Sequence, residues 1–272
     1  MLNETENNDL RLAVLIDADN VPYSYVKEMM EEIARYGVPT IKRIYGDWTQ
    51  PTVSGWKNCL LVNAITPVQQ YSYTYGKNST DSAMIIDAMD ILYGDNVDGF
   101  CIVSSDSDFT RLATRLREAG KKVIGIGEKK TPAPFIAACD KFIYLEILKP
   151  AEPPKQQPQQ QKKTAQKKGK ETAEREPQKK TARSGDETRK SGLPADVIRL
   201  ISDSIDIVAD DDGWAFLGEI GNLISKKRPD FDPRNYGFMK LSNLIKSSDA
   251  FLFDVRETAN KSVKHIYIKN NI

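Results

Sequence analysis

The segment RLAVLIDADN, residues 11–20, decides the fold of the N-terminal half of the chain. An unbroken apolar run is followed at once by Asp17, Asp19 and Asn20. Such a run is typical of a strand that is buried on both faces, as in a parallel sheet covered by helices. The segment GFCIVSSDSD, residues 99–108, has the same order of apolar residues followed by acids. If these two strands are neighbours, their acids converge at one edge of a sheet.

The sequence around these two segments alternates between strand and helix patterns up to residue 148. Further strands are predicted at 40–46, 65–73, 121–127 and 141–148, and helices at 22–36, 54–63, 79–93, 108–118 and from Pro132 onward. Asp108 and Thr131 are predicted to cap the last two helices. Strands that alternate with helices indicate an α/β fold with a mostly parallel sheet between two helical layers.

Residues 150–191 break this pattern. They hold Pro, Gln and Lys with almost no large apolar residue, so they are predicted to be a disordered linker. Residues 151–190 contain twelve Lys or Arg and six Asp or Glu, a net charge of +6 in a chain whose total is +1. The excess indicates a polyanionic partner, or serves only to keep the linker solvated.

Helical and strand patterns return from Leu193. Helices are predicted at 194–208, at 217–227 and from Pro233, after the cap Asp232, to about residue 247, and strands at 251–258 and 264–269. Three helices followed by a hairpin indicate a small winged helix-turn-helix.

The composition excludes several classes of protein. No apolar run approaches the roughly 20 residues that span a bilayer, and the N-terminus has no export signal, so a cytoplasmic protein without a membrane partner is expected. The three cysteines are widely spaced and read as reduced core residues. His265 is the only histidine, which argues against a histidine-ligated zinc site, a Ser-His-Asp triad or a histidine base in the N-terminal part.

The acids of the N-terminal part suit phosphodiester chemistry without histidine. Ligands of parallel sheets gather beyond the carboxyl ends of the strands, where Asp17 and Asp106 are expected, and Asp81 lies in the first turn of a predicted helix. Clustered carboxylates repel one another, and a hard cation with oxygen ligands, Mg²⁺ or Mn²⁺, relieves the repulsion. Such an ion can activate water against a phosphodiester. Taken singly, Asp108 could be only a cap and Asp81 only a favourable first-turn charge.

Residues 11–148 resemble the NYN domain, a PIN-like nuclease relative that includes the LabA-like proteins. The resemblance is carried by LIDADN (15–20), YGDW (45–48), GWK (55–57), YTYGKNSTDSAMIIDAMD (73–90), FCIVSSDSDFTRLATRLREAG (100–120) and GEKKTPAPFIAACDKFIYLE (127–146). It implies a PIN-like three-layer fold over 1–149. It also implies that Asp17, Asp81, Asp106 and Asp108 are the catalytic, metal-binding acids and that the catalytic residue Asn20 supports them. Asp19 is expected to act on these acids without contacting the metal, and Lys77 is expected to lie beside the site.

Residues 193–270 are similar to the LOTUS, or OST-HTH, domain, and the domain is expected over 192–272. The resemblance is carried by GWAFLGEIGNLISKKRPDFDPRNYGFMKLSNLIKSSDAFLF (213–253). It implies RNA binding and docking of a protein partner. The basic residues near the second and third helices suit contacts to phosphates and bases, or form only a solvated face; they are Lys226, Lys227, Arg228, Arg234 and Lys240, with Tyr236 beside them.

Other side chains are weaker candidates for RNA contacts. Lys129 and Lys130 precede the predicted helix N-terminus at Thr131, a position that favours anions, although ordinary surface lysines fit as well. Trp48, Trp56 and Tyr75 could stack on bases or belong to the core.

These observations favour a metal-dependent endoribonuclease whose C-terminal module holds RNA near the acids. The second hypothesis is a non-catalytic RNA-binding adaptor whose NYN domain binds metal without turnover. The third is an aspartate-nucleophile phosphatase, because DADN superficially matches that motif. The sequence leaves a homo-oligomer open.

Overall fold

The computed structural model describes residues 10–71, 79–148, 193–257 and 264–271. The N-terminal part alternates strands and helices, as predicted. Its strands are β1 (Arg11–Asp17), β2 (Val38–Gly46), β3 (Thr66–Gln69), β4 (Gly99–Val103), β5 (Lys122–Gly127) and β6 (Lys141–Tyr144). Its helices are α1 (Val26–Ile33), α2 (Lys57–Val62), α3 (Ser79–Gly94), α4 (Thr110–Glu118) and α5 (Ala133–Ala138).

The six strands form one parallel sheet in the order β3-β2-β1-β4-β5-β6. β1 and β4 are neighbours, with Ile16 paired to Val103. The chain order reverses between β1 and β4, and ligands of such sheets bind at the carboxyl ends of the strands beside this point. The predicted convergence of the two acidic segments is therefore confirmed.

Each face of the sheet carries its own core, which explains the unbroken apolar run in β1. Leu12, Val14 and Ile16 pack in the core beneath α1 and α2. Ala13 and Leu15 point the other way, into the core beneath α3, α4 and α5. Because successive side chains of a strand alternate between faces, a strand between two helical layers must be apolar at every position.

The C-terminal part combines three α-helices with a small antiparallel sheet. Its elements are α6 (Ala195–Val208), β7 (Ala215–Phe216), α7 (Leu217–Lys227), α8 (Leu241–Lys246), β8 (Phe251–Glu257) and β9 (Lys264–Asn270). The sheet order is β7-β9-β8. The helices and sheet share one core that includes Ile201, Ile220, Leu244 and Ile268. The predicted helices and hairpin of a winged helix-turn-helix are present, and the two-residue strand β7 is an addition.

The two folded parts belong to one compact unit, and β6 supplies part of the contact between them. The backbone N–H of Phe142 donates to the carbonyl of Pro229 at 3.0 Å. The Lys141 ammonium donates to the carbonyl of Phe231 at 2.8 Å. The segment between α7 and α8 thus hydrogen-bonds to the last strand of the large sheet.

Side chains add a second group of contacts. The Tyr144 hydroxyl donates to Asp230 at 2.8 Å. The Arg234 guanidinium makes two hydrogen bonds of 2.8 Å to Glu32 of α1 and also binds Asp232 at 2.7 Å. Glu32 and Asp232 are both buried, so Arg234 neutralises two carboxylates that have little water around them.

Several predicted helix boundaries in the C-terminal part and around α1 are wrong. The third helix of the C-terminal part is a 3-10 turn (Pro233–Tyr236) followed by the separate helix α8. Gly237, at φ +83°, ends the turn because it takes a left-handed conformation that a helix cannot continue. Asp232 does cap this turn, accepting from the backbone N–H of Arg234. A 3-10 turn (Tyr23–Tyr25) replaces the first turn of the helix predicted at 22–36.

Other boundaries and caps differ in the N-terminal part. Asp106, not Asp108, is the capping residue, and it caps a 3-10 turn (Ser107–Phe109) before α4. Pro132 precedes α5, and the Thr131 hydroxyl instead donates to the Glu128 carbonyl at 2.6 Å. The strands predicted at 65–73 and 141–148 end earlier, at Gln69 and Tyr144. Residues 72–78 and the predicted linker lie outside the described residues.

Candidate active site

Asp17 ends β1 at the carboxyl edge of the sheet and is 1% exposed. One carboxylate oxygen accepts from the backbone N–H groups of Asp19 and Asn20, at 3.0 and 3.3 Å. The other accepts from the Asn20 amide at 2.7 Å and from the Ser104 hydroxyl at 2.8 Å. Four donors compensate this buried charge and use the acceptor capacity of both oxygens. A metal ion on Asp17 would have to replace one of them.

Asp81, Asp106 and Asp108 form the acidic cluster. One carboxylate oxygen from each can be chosen so that all three atoms lie within 4.8 Å of one another. Asp81 comes from the first turn of α3, while Asp106 and Asp108 follow β4. Asp81 is 9% exposed, and Asp108 is open to solvent. The structure therefore brings together three of the four predicted metal-binding acids, with Asp17 beside them.

The charges of this edge act on one another. Burial and the charges of Asp17, Asp106, Asp108 and Asp19 raise the pKa of Asp81 to about 6. The pKa of Asp19 is raised by burial and by the charge of Asp17, against a hydrogen bond with Thr80. The carboxylates thus destabilise one another when no cation lies among them.

The donor chemistry of the acidic cluster fits a hard divalent cation. Three carboxylates converge without a nitrogen or sulfur ligand, which is the donor set of Mg²⁺ and Mn²⁺. Within the part of the chain that the structure describes, this is the single group of acids, histidines or cysteines that meets the spacing for a metal site.

A hydrogen-bonded chain connects the two acidic segments. Ser104 is fully buried; its hydroxyl donates to Asp17 and accepts from the backbone N–H of Asp106 at 3.0 Å. The Asp106 side chain in turn accepts from the N–H of Asp108 at 2.9 Å. Ser104 therefore fixes the position of Asp17 relative to the acidic cluster.

Asp87 holds α3 against the sheet. Its carboxylate is paired with the Arg43 guanidinium and accepts from the Tyr45 hydroxyl, and both partners belong to β2. Burial and the neighbouring Asp87 raise the pKa of the Tyr45 hydroxyl, so it stays protonated as a donor. Because Asp81 lies on the same helix, this contact helps to fix the direction from which Asp81 enters the acidic cluster.

Asp47 is a buried acid at the end of β2 that the sequence analysis did not single out. It accepts from the backbone and hydroxyl of Thr49, at 3.1 and 2.6 Å, and from the Gln69 amide at 3.0 Å. These hydrogen bonds hold the pKa of Asp47 well below its ordinary value. Its position in YGDW, just after a strand, was the available signal, and its contacts indicate a role in holding the loop after β2.

The predicted basic residues divide into exposed and engaged groups. Lys129, Lys226, Lys227 and Lys240 are exposed. Lys130 is exposed too, although it pairs with Glu128. The helix after Lys129 and Lys130 has only six residues, which reduces the contribution of its dipole to an anion site at its N-terminus. Lys77 lies outside the described residues.

The remaining predicted RNA contacts face other protein groups. Arg228 pairs with Asp196 at 2.9 Å. Arg234 is engaged by Glu32 and Asp232, as described above. The Tyr236 ring lies 5.9 Å from that of Phe231, centroid to centroid.

The tryptophans singled out from the sequence are packed against the protein. Trp56 is 1% exposed, and the Trp48 indole donates to the Val68 carbonyl at 3.0 Å. Tyr75 is outside the described residues. Tyr23, which follows the first acidic segment, is instead 49% exposed. No local sequence pattern marks Tyr23, because its exposure depends on packing between segments that are distant in the chain.

Comparison with known families agrees with this geometry. The NYN domain family matches residues 11–146, and the OST-HTH/LOTUS domain family matches residues 189–264. The chain belongs to the NYN domain family and carries an OST-HTH/LOTUS domain after it. Both resemblances inferred from the sequence are confirmed, and so is the PIN-like α/β fold class.

Parts of the chain are similar to one curated protein and to two solved structures. The chain is 26% identical over 121 residues to an uncharacterised protein of Methanocaldococcus jannaschii; the match covers 43% of this chain and about half, 47%, of that relative. A solved structure from Vibrio parahaemolyticus, of unknown function, is 21% identical, with a TM-score of 0.42 and coverage of 51% of this chain and 94% of that one. An uncharacterised protein from Nitrosomonas europaea is 31% identical, with a TM-score of 0.28 and coverage of 35% and 91%.

The comparisons and the structure support coarse features of the function. The NYN domain indicates a nuclease-like fold and the OST-HTH/LOTUS domain indicates RNA binding. Among the described residues, no helix has the length and apolar character to cross a membrane.

Proposed function

We propose that the protein is a metal-dependent ribonuclease that hydrolyses RNA phosphodiester bonds at the acidic cluster, acting as an endoribonuclease. The observation that carries the proposal is the convergence of Asp81, Asp106 and Asp108, one oxygen each within 4.8 Å, beside the buried Asp17. The NYN fold supports it, because nuclease-like chemistry belongs to this class of domain.

Asp81, Asp106 and Asp108 would hold Mg²⁺ or Mn²⁺, and Asp17 would add either a ligand or a nearby charge. When bound, such an ion polarises a phosphodiester and lowers the pKa of an attacking water. Asn20 and Ser104 orient Asp17 by donating to it. The exposed carboxylate of Asp108 lies on the solvent side of the acidic cluster, where an RNA backbone would approach.

The C-terminal domain would supply affinity for RNA. Lys226 and Lys227 at the end of α7, with Lys240 before α8, are exposed and suited to phosphate contacts. The proposed surface leaves out Arg228 and Arg234, because their guanidinium groups are paired with acids. The domains are proposed to extend over 1–149 and 192–272, with the basic linker at 150–191 between them.

The geometry of Asp17 disfavours the phosphatase hypothesis. A nucleophilic carboxylate needs an oxygen free to reach phosphorus in line, whereas both oxygens of Asp17 accept two hydrogen bonds each and the side chain is buried. The non-catalytic adaptor is the remaining alternative, since the same acids could bind metal without turnover.

The test is cleavage of labelled single-stranded and structured RNAs in Mn²⁺ or Mg²⁺ by wild type, Asp17→Asn and Asp106→Asn. Asp90→Asn is the matched control, because Asp90 is exposed and lies more than two turns along α3 from Asp81. We expect metal-dependent cleavage by wild type and the control that both site variants lose. Tight RNA binding without cleavage by wild type would instead establish the adaptor.

A further inference from the structure

A pocket lies beside the loop that follows Asp17 at the carboxyl edge of the large sheet. Its volume is about 490 Å³, and its lining includes Asp19, Asn20, Tyr23, Trp56, Glu128 and Lys130. This volume is in the range of pockets that bind small organic groups. Asn20 lines the pocket, and its side-chain amide donates to Asp17 at 2.7 Å. A group bound there would lie next to the reacting edge of the sheet.

Tyr23 gives the pocket an aromatic wall that lies against Gly55. The side chain is 49% exposed, yet it packs closely against the backbone of Gly55. A Cβ atom added at Gly55 would lie 2.4 Å from Cε1 of Tyr23 and 2.6 Å from Cδ1, which is closer than atoms can approach. The absence of a side chain at Gly55 therefore creates the space in which the tyrosine ring lies.

Another part of the pocket lining carries charge. Glu128 and Lys130 form an ion pair, and 69% of the Lys130 side chain is exposed. The backbone N–H of Glu128 donates to the Ser105 hydroxyl at 2.8 Å, which connects this wall to the loop after β4. An ammonium group has three donors, so Lys130 can contact an anion while it keeps its pair with Glu128.

We propose that this pocket binds a nucleobase of the RNA, stacked on Tyr23, and that the base belongs to the nucleotide next to the scissile phosphate. An exposed aromatic ring with a cationic side chain nearby is suited to single-stranded nucleic acid, because every base has a face that can stack. The position of the base relative to the scissile phosphate rests on the proposed nuclease function. The binding of a base in the pocket does not depend on whether the protein cleaves RNA.

The test uses the full-length chain and short single-stranded RNAs in which one base at a time is replaced by an abasic ribose. Affinities are measured by fluorescence anisotropy in EDTA, where metal-dependent cleavage is blocked. In wild type we expect one position at which loss of the base weakens binding about tenfold, the effect of losing one stacked base. The same penalty should disappear in Tyr23→Ala and remain in Tyr23→Phe.

Two further variants separate the loss of base stacking from other effects of substitution on RNA affinity. Gly55→Ala should behave like Tyr23→Ala, because the added Cβ must displace the ring although the tyrosine is still present. Tyr93→Ala should behave like wild type: Tyr93 is 73% exposed, but it lies at the opposite end of α3 from Asp81. Circular dichroism melting checks that each variant is folded.

The outcomes distinguish this inference from the proposed function. The nucleobase pocket is overturned if the loss of affinity at an abasic position persists in Tyr23→Ala. It is also overturned if wild type shows no position at which an abasic ribose weakens binding, even when the protein cleaves RNA. A Tyr23-dependent penalty in a protein that does not cleave RNA supports the pocket and rejects the nuclease. If the protein does cleave, the sensitive position must flank the cleaved bond, and a distant position contradicts the assignment.

Discussion

Replacing Asp81 with asparagine should stabilise the protein in the absence of divalent metal. The substitution keeps the size of the side chain and removes one negative charge from the acidic cluster. The pKa of Asp81 rises from an ordinary value of 3.8 to about 6, through burial and the charges of four neighbouring aspartates. The charged form is therefore less favourable in the folded state than in the unfolded chain.

The magnitude follows from the two pKa values. A pKa raised from 3.8 to about 6 corresponds to a cost of at most about 3 kcal/mol for the charged form in the folded state, and solvent screening at this partly exposed cluster lowers the cost. Because the folded pKa is the higher one, the protonated carboxyl contributes stability below pH 3.8, and this contribution is lost as the pH rises through 6. At pH 7.5 in EDTA we expect Asp81→Asn to raise the free energy of unfolding by about 1–3 kcal/mol.

The measurement is urea unfolding followed by circular dichroism, at pH 4 and pH 7.5, with EDTA or with Mn²⁺. The advantage of Asp81→Asn should be present at pH 7.5 and shrink toward pH 4. Adding Mn²⁺ at 100 times its dissociation constant should stabilise wild type by about 2.7 kcal/mol and the variant much less, because the variant lacks one ligand.

Asp90→Asn is the control for this prediction as well. It removes one carboxylate from the exposed face of the same helix, so its effect should stay within about 0.5 kcal/mol at either pH. If Asp81→Asn destabilises the metal-free protein at pH 7.5, or responds to Mn²⁺ as strongly as wild type, the reasoning about mutual repulsion and metal binding is refuted.

Two further predictions concern the C-terminal domain. Arg234→Met should lower the free energy of unfolding by about 3–5 kcal/mol, because the buried carboxylates of Glu32 and Asp232 lose their partner. Loss of the exposed Arg35, which also pairs with Glu32, should cost about 1 kcal/mol or less. Equal effects of the two substitutions in urea titrations would contradict this reasoning. Replacing Lys226 and Lys227 with glutamine should weaken binding to all single-stranded RNAs and reduce the slope of log affinity against log salt by about 1.4, and an unchanged slope would remove them from the RNA surface.

The arrangement of the acids was accessible from the sequence because it depends on local patterns and one topological rule. The apolar run before Asp17 and the similar run before Asp106 indicated strands buried on both faces. Parallel strands place their carboxyl ends at one edge, so the acids had to converge once the two strands were neighbours.

Features that depend on contacts distant in the chain were not accessible in this way. Arg234 has the basic helix-flanking context of an RNA contact, but its partner Glu32 lies 202 residues earlier. Tyr23 owes its position to Gly55, which nothing in the local pattern of either segment indicates. The division of the third C-terminal helix depended on the backbone conformation of Gly237, which the helical spacing of apolar residues concealed.

The contact of the C-terminal domain with β6 has a consequence for how the chain can be divided. β6 is the last strand of the sheet, and an uncovered edge strand offers free backbone groups to which another copy can add a strand. The hydrogen bond from Phe142 to Pro229 occupies one of these groups with a segment of the same chain. A truncated N-terminal half would lose this contact, so we expect it to aggregate through this edge more readily than the full chain.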